Sequence, residues 1–437
     1  MSFKKIFSDK IFILMLFFSI CSLVFQNHFN GLIYLFIGTF IFIYTLISNT
    51  KNSFEIKLVK LFIYSIPLSF TNVFNSSYSS IPLSWYNILL LIIILDFLVI
   101  VFKKRDLRLN PLSVSCILIL FIGIIPLIIS NDFLNGLKQY INIASSFLLI
   151  IVANTIKYSI DSKEKKLLPL FYINSTLIAG TCIFVQYICI NVVGISVGNH
   201  LLFYGNRATY AAMFTDFSFM SLYLVSGSIM ILSLKNNFTI SNLKLYFLMS
   251  YLLLASLITS ARTGLAAFIV VILFLSLIKL FKLILSGSIK AIYIIFANLG
   301  LILISYSILK KFRPEGLFDD SGRALINKIA TQAFLSAPIF GVGLGVKSYS
   351  LNIGTIPHNI VFQLLAQGGL FLTVPIILFL VLIIIFQYKA KQVTLLTFLV
   401  LMVGSLFIPD IFNSRFLAVI FLIIGLQYHP NLRLPKE

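Results

Sequence analysis

Apolar runs long enough to cross a bilayer follow one another along nearly the whole chain, with short, mostly basic breaks between them. About fourteen can be delimited, at 11–25, 31–48, 59–74, 85–102, 112–130, 138–156, 167–193, 211–234, 244–259, 264–281, 290–309, 359–386, 393–408 and 411–427. With 59% hydrophobic and 11% charged residues, the chain carries far more apolar surface than one soluble core can hide. Only a helix or a closed barrel satisfies its backbone in lipid, and runs of this length specify helices. The expectation is an all-α, polytopic membrane protein: a single transmembrane domain over 1–437 with 12–14 spans, fourteen favoured.

Thirty-three Lys+Arg stand against 13 Asp+Glu, a balance that in a soluble protein would suggest nucleic acid. Here the basic residues alternate with the spans. Placing the N-terminus inside puts most of them in cytoplasmic breaks such as Lys51–Lys60, Lys103–Arg108 and Lys157–Lys166, and puts both termini in the cytoplasm. Nucleic acid is therefore not an expected partner, whereas membrane lipid is. Residues 11–25 read as a retained first helix. Cys21, Cys116, Cys182 and Cys189 all lie in apolar runs and read as packing residues, not disulfides or metal ligands. The one long outer segment, 310–357, should hold a short helix near 322–336 with a cap at Asp320 or Ser321.

Five of the eight arginines, Arg207, Arg262, Arg313, Arg323 and Arg415, fall on the outer side, where topology does not ask for them. Arginine suits bidentate capture of phosphate, although outer arginines also snorkel to headgroups. Arg262 sits in the polar break Thr259-Ser260-Ala261-Arg262-Thr263-Gly264, at a depth where a charge is costly. Arg207 precedes Asp216, which can serve as an ion-pair anchor or as a substrate contact. Gly341, Gly343 and Gly345 alternate ahead of Pro357-His358-Asn359, which puts an imidazole at the lip of a long span. That histidine can act as a general base or as a polar cap. Asp96, alone in the fourth run, reads as a hydrogen-bonded or neutral acid.

The ordered set Ser260–Gly264, Gly322-Arg323, Pro338-x-x-Gly341-Val342-Gly343, Pro357-His358-Asn359 and Gly368-Gly369-Leu370 resembles the shared region of the O-antigen polymerase and O-antigen ligase superfamily, over about 200–375. The resemblance implies a membrane glycosyltransferase (GT-C-like) fold in the bacterial inner membrane, and metal-independent, inverting transfer at the periplasmic face without a cofactor. The donor it implies is an oligosaccharide on undecaprenyl pyrophosphate, with a chain-length regulator protein as a further partner. It assigns His358, Arg262 and Arg323 to catalysis. Substrate contacts fall to Arg207, Asp216, Gly341, Gly343, Asn359 and Arg415. Asp216-Phe217-Ser218 partly resembles the Glu-Pro-Ser helix start of many polymerases, and Leu372 departs from the ligase pattern. Polymerase is therefore the favoured activity, with ligation of polymer to lipid A-core as the alternative. A flippase or polysaccharide transporter is disfavoured, because the halves of the chain show no internal repeat.

Overall fold

The computed structural model describes residues 9–25, 31–48, 53–74, 83–104, 109–203, 207–236, 241–312, 323–345 and 356–428. Within them the chain is mostly helical. The helices are α1 (Lys10–Val24), α2 (Gly31–Ile47), α3 (Phe54–Tyr64), α4 (Trp85–Lys104), α5 (Pro111–Ile129), α6 (Phe133–Ile156) and α7 (Leu168–Ile188). After a hairpin of β1 (Asn199–Phe203) and β2 (Arg207–Ala212) come α8 (Phe217–Ser233), α9 (Asn242–Ile258), α10 (Arg262–Leu285), α11 (Lys290–Phe312), α12 (Arg323–Ser336), α13 (Ile360–Lys389), α14 (Thr394–Gly404) and α15 (Phe416–Gln427).

Short polar side chains start several of these helices by accepting their first free amides. Asp9 caps α1, Ser53 caps α3, Asn110 with Pro111 behind it opens α5, and Asn359 caps α13. Six stretches are long and apolar enough to span a bilayer: Trp85–Lys103, Pro111–Ile129, Phe133–Ile156, Ser162–Val193, Arg262–Leu285 and Ile360–Lys389. Shorter apolar helices pack among them. This is the architecture of a multi-pass membrane protein. The four cysteines are free. The expected cap at Asp320 or Ser321 lies outside the described residues.

Three expectations need correction. The run at 59–74 holds an 11-residue α3 followed by a 3-10 turn at Ile66–Leu68, because Pro67 cannot continue the α-helical ladder. Eleven residues reach only about 16 Å, roughly half the hydrocarbon core. The run at 211–234 begins as β2, so the fold is not purely α: β1 and β2 pair antiparallel. Buried Gln186 of α7 replaces the missing hairpin partners, donating to the Val197 carbonyl (2.8 Å) and accepting from the Ala212 amide (2.8 Å). Finally, α13 is not one continuous rod. Gly369, at φ 58° and ψ −163°, breaks it near its first third.

Two helices are apolar all round and lie at the centre, as that pattern requires. In α8 every residue from Ser218 to Ile231 is buried, and in α15 every residue from Phe416 to Leu426. Helix α8 packs against α7, α9, α10 and α14, and α15 packs against α6. Small residues allow the close approaches: Gly227 meets Thr176, Gly264 meets Ser221, Gly404 meets Leu222 and Gly425 meets Ala153. Around the centre, exposed Phe274, Phe281, Phe296 and Leu303 of α10 and α11 give the bundle an apolar outer surface suited to lipid.

Candidate functional site

The starts of α8, α10, α12 and α13 bring the chemically useful side chains together. Asn359 accepts from the amides of Val361 (2.9 Å) and Phe362 (3.4 Å), and the Ile360 amide donates to the Ser405 carbonyl (3.0 Å). The start of α13 is thereby pinned to the end of α14. His358, one residue earlier, is half-buried against this junction. Its ring hydrogen-bonds the Phe407 backbone, whereas Nδ1 is buried with no partner among the described residues. The Phe407 contact therefore falls to Nε2, and a backbone carbonyl there selects the tautomer with its proton on Nε2 and its lone pair on Nδ1. Burial, and secondarily the Arg323 guanidinium, hold this imidazole below its usual pKa against the opposing pull of Asp216 and the Phe407 bond.

A neutral, oriented imidazole is a ready proton acceptor. Because its pKa is lowered, it stays uncharged through neutral pH and is lost as a base only on acidification. The acidic limb of a kcat/KM profile should therefore fall below about 6.5, the value of a free imidazole. A limb above that value would mean that a different group controls the rate.

Arg323 opens α12 and Asp216 caps α8, accepting from the Ser218 amide; both act electrostatically on His358. These three are the residues that the structure brings together. Arg262 opens α10 after Ser260, whose φ of 59° makes the sharp turn out of α9. Two residues on, Gly264 rests on Ser221 in the second turn of α8, so Arg262 enters at the end of the bundle where Asp216 caps α8. Arg207 begins β2 opposite Phe203.

The glycine run has a structural part of its own. It threads as an extended clasp into the break of α13: Val342 and Gly343 donate to the carbonyls of Ala366 (2.9 Å) and Gln367 (3.1 Å), and Leu370 and Phe371 donate back to those of Pro338 (2.9 Å) and Ile339 (2.9 Å). Beyond it, the Leu344 amide reaches Pro126 of α5 (2.9 Å), and the Ser130 hydroxyl donates to the Leu344 carbonyl. The Gly341 amide is likewise committed, to Ala337 (2.9 Å). The amides of Gly341 and Gly343 are thus engaged inside the protein. Asn359 also spends its carbonyl oxygen on its cap.

Arg415 is not part of the His358 cluster. It is buried near Phe70 and Tyr86, with Nη1 donating to Asn142 Oδ1 (3.0 Å). Two groups that the sequence reading passed over stand at the site. Gln363, one turn into α13, accepts from the Asp410 amide (3.1 Å). Asp410 itself is buried at φ 44°, and burial raises its carboxyl to about 6. Its signal in the sequence was Pro409-Asp410, the one polar notch between two apolar runs.

A multi-pass helical membrane protein with a histidine–arginine–carboxylate cluster at one end of its helices is the class that fold and site define. Residues 247–377 match the family model described as O-antigen ligase, so the chain carries the domain shared by the O-antigen ligase and O-antigen polymerase superfamily. The matched stretch includes Arg262, Arg323, Gly341, Gly343, His358 and Asn359, and excludes Arg207, Asp216 and Arg415. No curated protein and no solved structure matches the chain.

Proposed function

We propose that this protein is a polysaccharide polymerase of the O-antigen type. It transfers a glycan from undecaprenyl pyrophosphate to a sugar hydroxyl on a second lipid-linked repeat unit, at the outer face of the bacterial inner membrane. The observation that carries this reading is the unpartnered Nδ1 of His358 within electrostatic reach of Arg323. His358 takes the proton as the acceptor oxygen attacks the anomeric carbon. The bond from that carbon to the pyrophosphate oxygen breaks with inversion, and the leaving group departs with both electrons. Arg323, with Arg262 and Arg207 as further cations, stabilises its growing negative charge. The basic breaks between spans support cytoplasmic termini, twelve to fourteen crossings and an outward-facing site. A GT-C-like membrane-glycosyltransferase fold and a chain-length regulator follow from the family resemblance.

Reconstitution of the purified chain with lipid-linked repeat units tests the proposal: a ladder of lipid-linked oligomers is the expected product. Arg323→Lys keeps the charge but loses the planar fork, and should cost about tenfold to a hundredfold in rate. A rate equal to wild type would remove Arg323 from the leaving-group site. The second reading, ligation of finished polymer to a lipid A-core acceptor, draws its support from the description of the matched family model. Product formed only when that acceptor is supplied would favour it.

A further inference from the structure

A second cavity, lined by none of His358, Arg323 and Asp216, has a volume of about 310 Å³ and lies between α4 and α6. That is the lower end of the range for small-ligand pockets. Helix α4 contributes Asn87, Leu91 and Ile94, and α6 contributes Lys138, Ile141 and Asn142. Leu91 and Ile141 are exposed on the outer surface of the bundle, so the cleft opens sideways. On α4 the lining is polar at its start (Asn87) and apolar beyond (Leu90, Leu91, Ile94), whereas on α6 Asn142 and Ser145 carry polar groups past Ile141.

Arg415 closes the cleft from the loop after α14. Its side chain is 9% exposed, and Nε is buried without a hydrogen-bond partner. The backbone is strained at φ 63° and is held there by the Tyr86 hydroxyl, which donates to its carbonyl (3.2 Å). Asn142 orients Nη1 and is itself fixed by donating to Asn413 (3.2 Å). The only salt bridge among the described residues is Lys60–Asp9, so no carboxylate is in direct contact with Arg415, although buried Asp410 attracts it from further away. A buried guanidinium with an idle N–H is costly for a protein that gains nothing from it, and a packed apolar residue would serve stability better. Lys138, exposed at the same cleft, supplies a second positive charge.

We propose that this cleft binds the phosphate headgroup of a membrane amphiphile, with the anion between Arg415 and Lys138 and the chain along Leu91, Ile94 and Ile141. The claim concerns binding alone and stands apart from the transfer reaction. Phosphate accepts from several donors at once and matches the guanidinium edge, while the apolar wall accommodates an acyl or prenyl tail. The test is native mass spectrometry on the full chain purified in detergent and supplied in turn with a polyprenyl monophosphate, phosphatidylglycerol and diacylglycerol. Wild type should retain a phosphate-bearing lipid and release diacylglycerol. Arg415→Gln removes the main anchor but risks the fold. Lys138→Glu and Ile141→Trp change exposed positions and should each lower retention about tenfold. Preference for the polyprenyl phosphate would support a substrate-lipid site, and equal or greater retention of phosphatidylglycerol would support a bilayer-lipid site. Retention unchanged in both surface variants, or diacylglycerol held as well as the phosphates, overturns the proposal.

Discussion

His358→Ala should lower the turnover of lipid-linked glycan by about a hundredfold to ten-thousandfold, the usual contribution of a positioned general base. That range corresponds to about 3–5 kcal/mol of barrier. The loss should fall on kcat, with donor affinity nearly preserved, because in the proposed reaction the imidazole meets the acceptor hydroxyl and not the pyrophosphate. The variant should fold: the start of α13 is held by the Asn359 cap and the Ile360–Ser405 bond, neither of which involves the ring. His358→Gln separates two roles. Its amide can still donate to the Phe407 backbone but offers no basic nitrogen. If glutamine restored most of the rate, the imidazole would be a positioning group and the proton would have to leave by another route.

Gly341→Ala should be among the most damaging single-methyl changes in the chain, lowering stability by about 2–5 kcal/mol. Two costs combine. Its φ of 71° costs an L-residue about 1–2 kcal/mol. The added Cβ would also run into the backbone of Gln367 and Gly368, which cannot rotate aside as a side chain would. Overpacking of that kind adds about 1–3 kcal/mol, and the sum is a large fraction of a typical folding free energy. Gly300→Ala in α11 is the matching control, since a Cβ there meets nothing within 4 Å and helical alanine is favoured over glycine. Thermal unfolding in detergent should show a large drop for the first variant and none for the second. A Gly341→Ala protein that melts like wild type yet no longer binds donor would return this glycine to the substrate site.

Much of the helical layout was legible because each apolar run in lipid must bond its own backbone, so its conformation is settled locally. Each of the apolar runs contains a helix, with bounds near those expected for most of them but not for the run at 59–74. Pairing of His358 with Arg323 was readable only as an expectation drawn from motif order. Their chemistry suited one task, but a separation of 35 positions says nothing about distance. The hairpin escaped notice because β1 and β2 are short and fall mostly between two apolar runs, and the decisive partner, Gln186, sits in another element.

The reach of each helix and the basic character of the breaks between spans could be read from residue order alone, since both depend on transfer of short segments into lipid. The clasp, the break at Gly369 and the separate placement of Arg415 could not. Gln139 meets Gln367 across 228 positions, and Asn142 meets Arg415 across 273. Contacts of that separation follow from how all the helices pack at once, and no local pattern of apolar and polar residues encodes them.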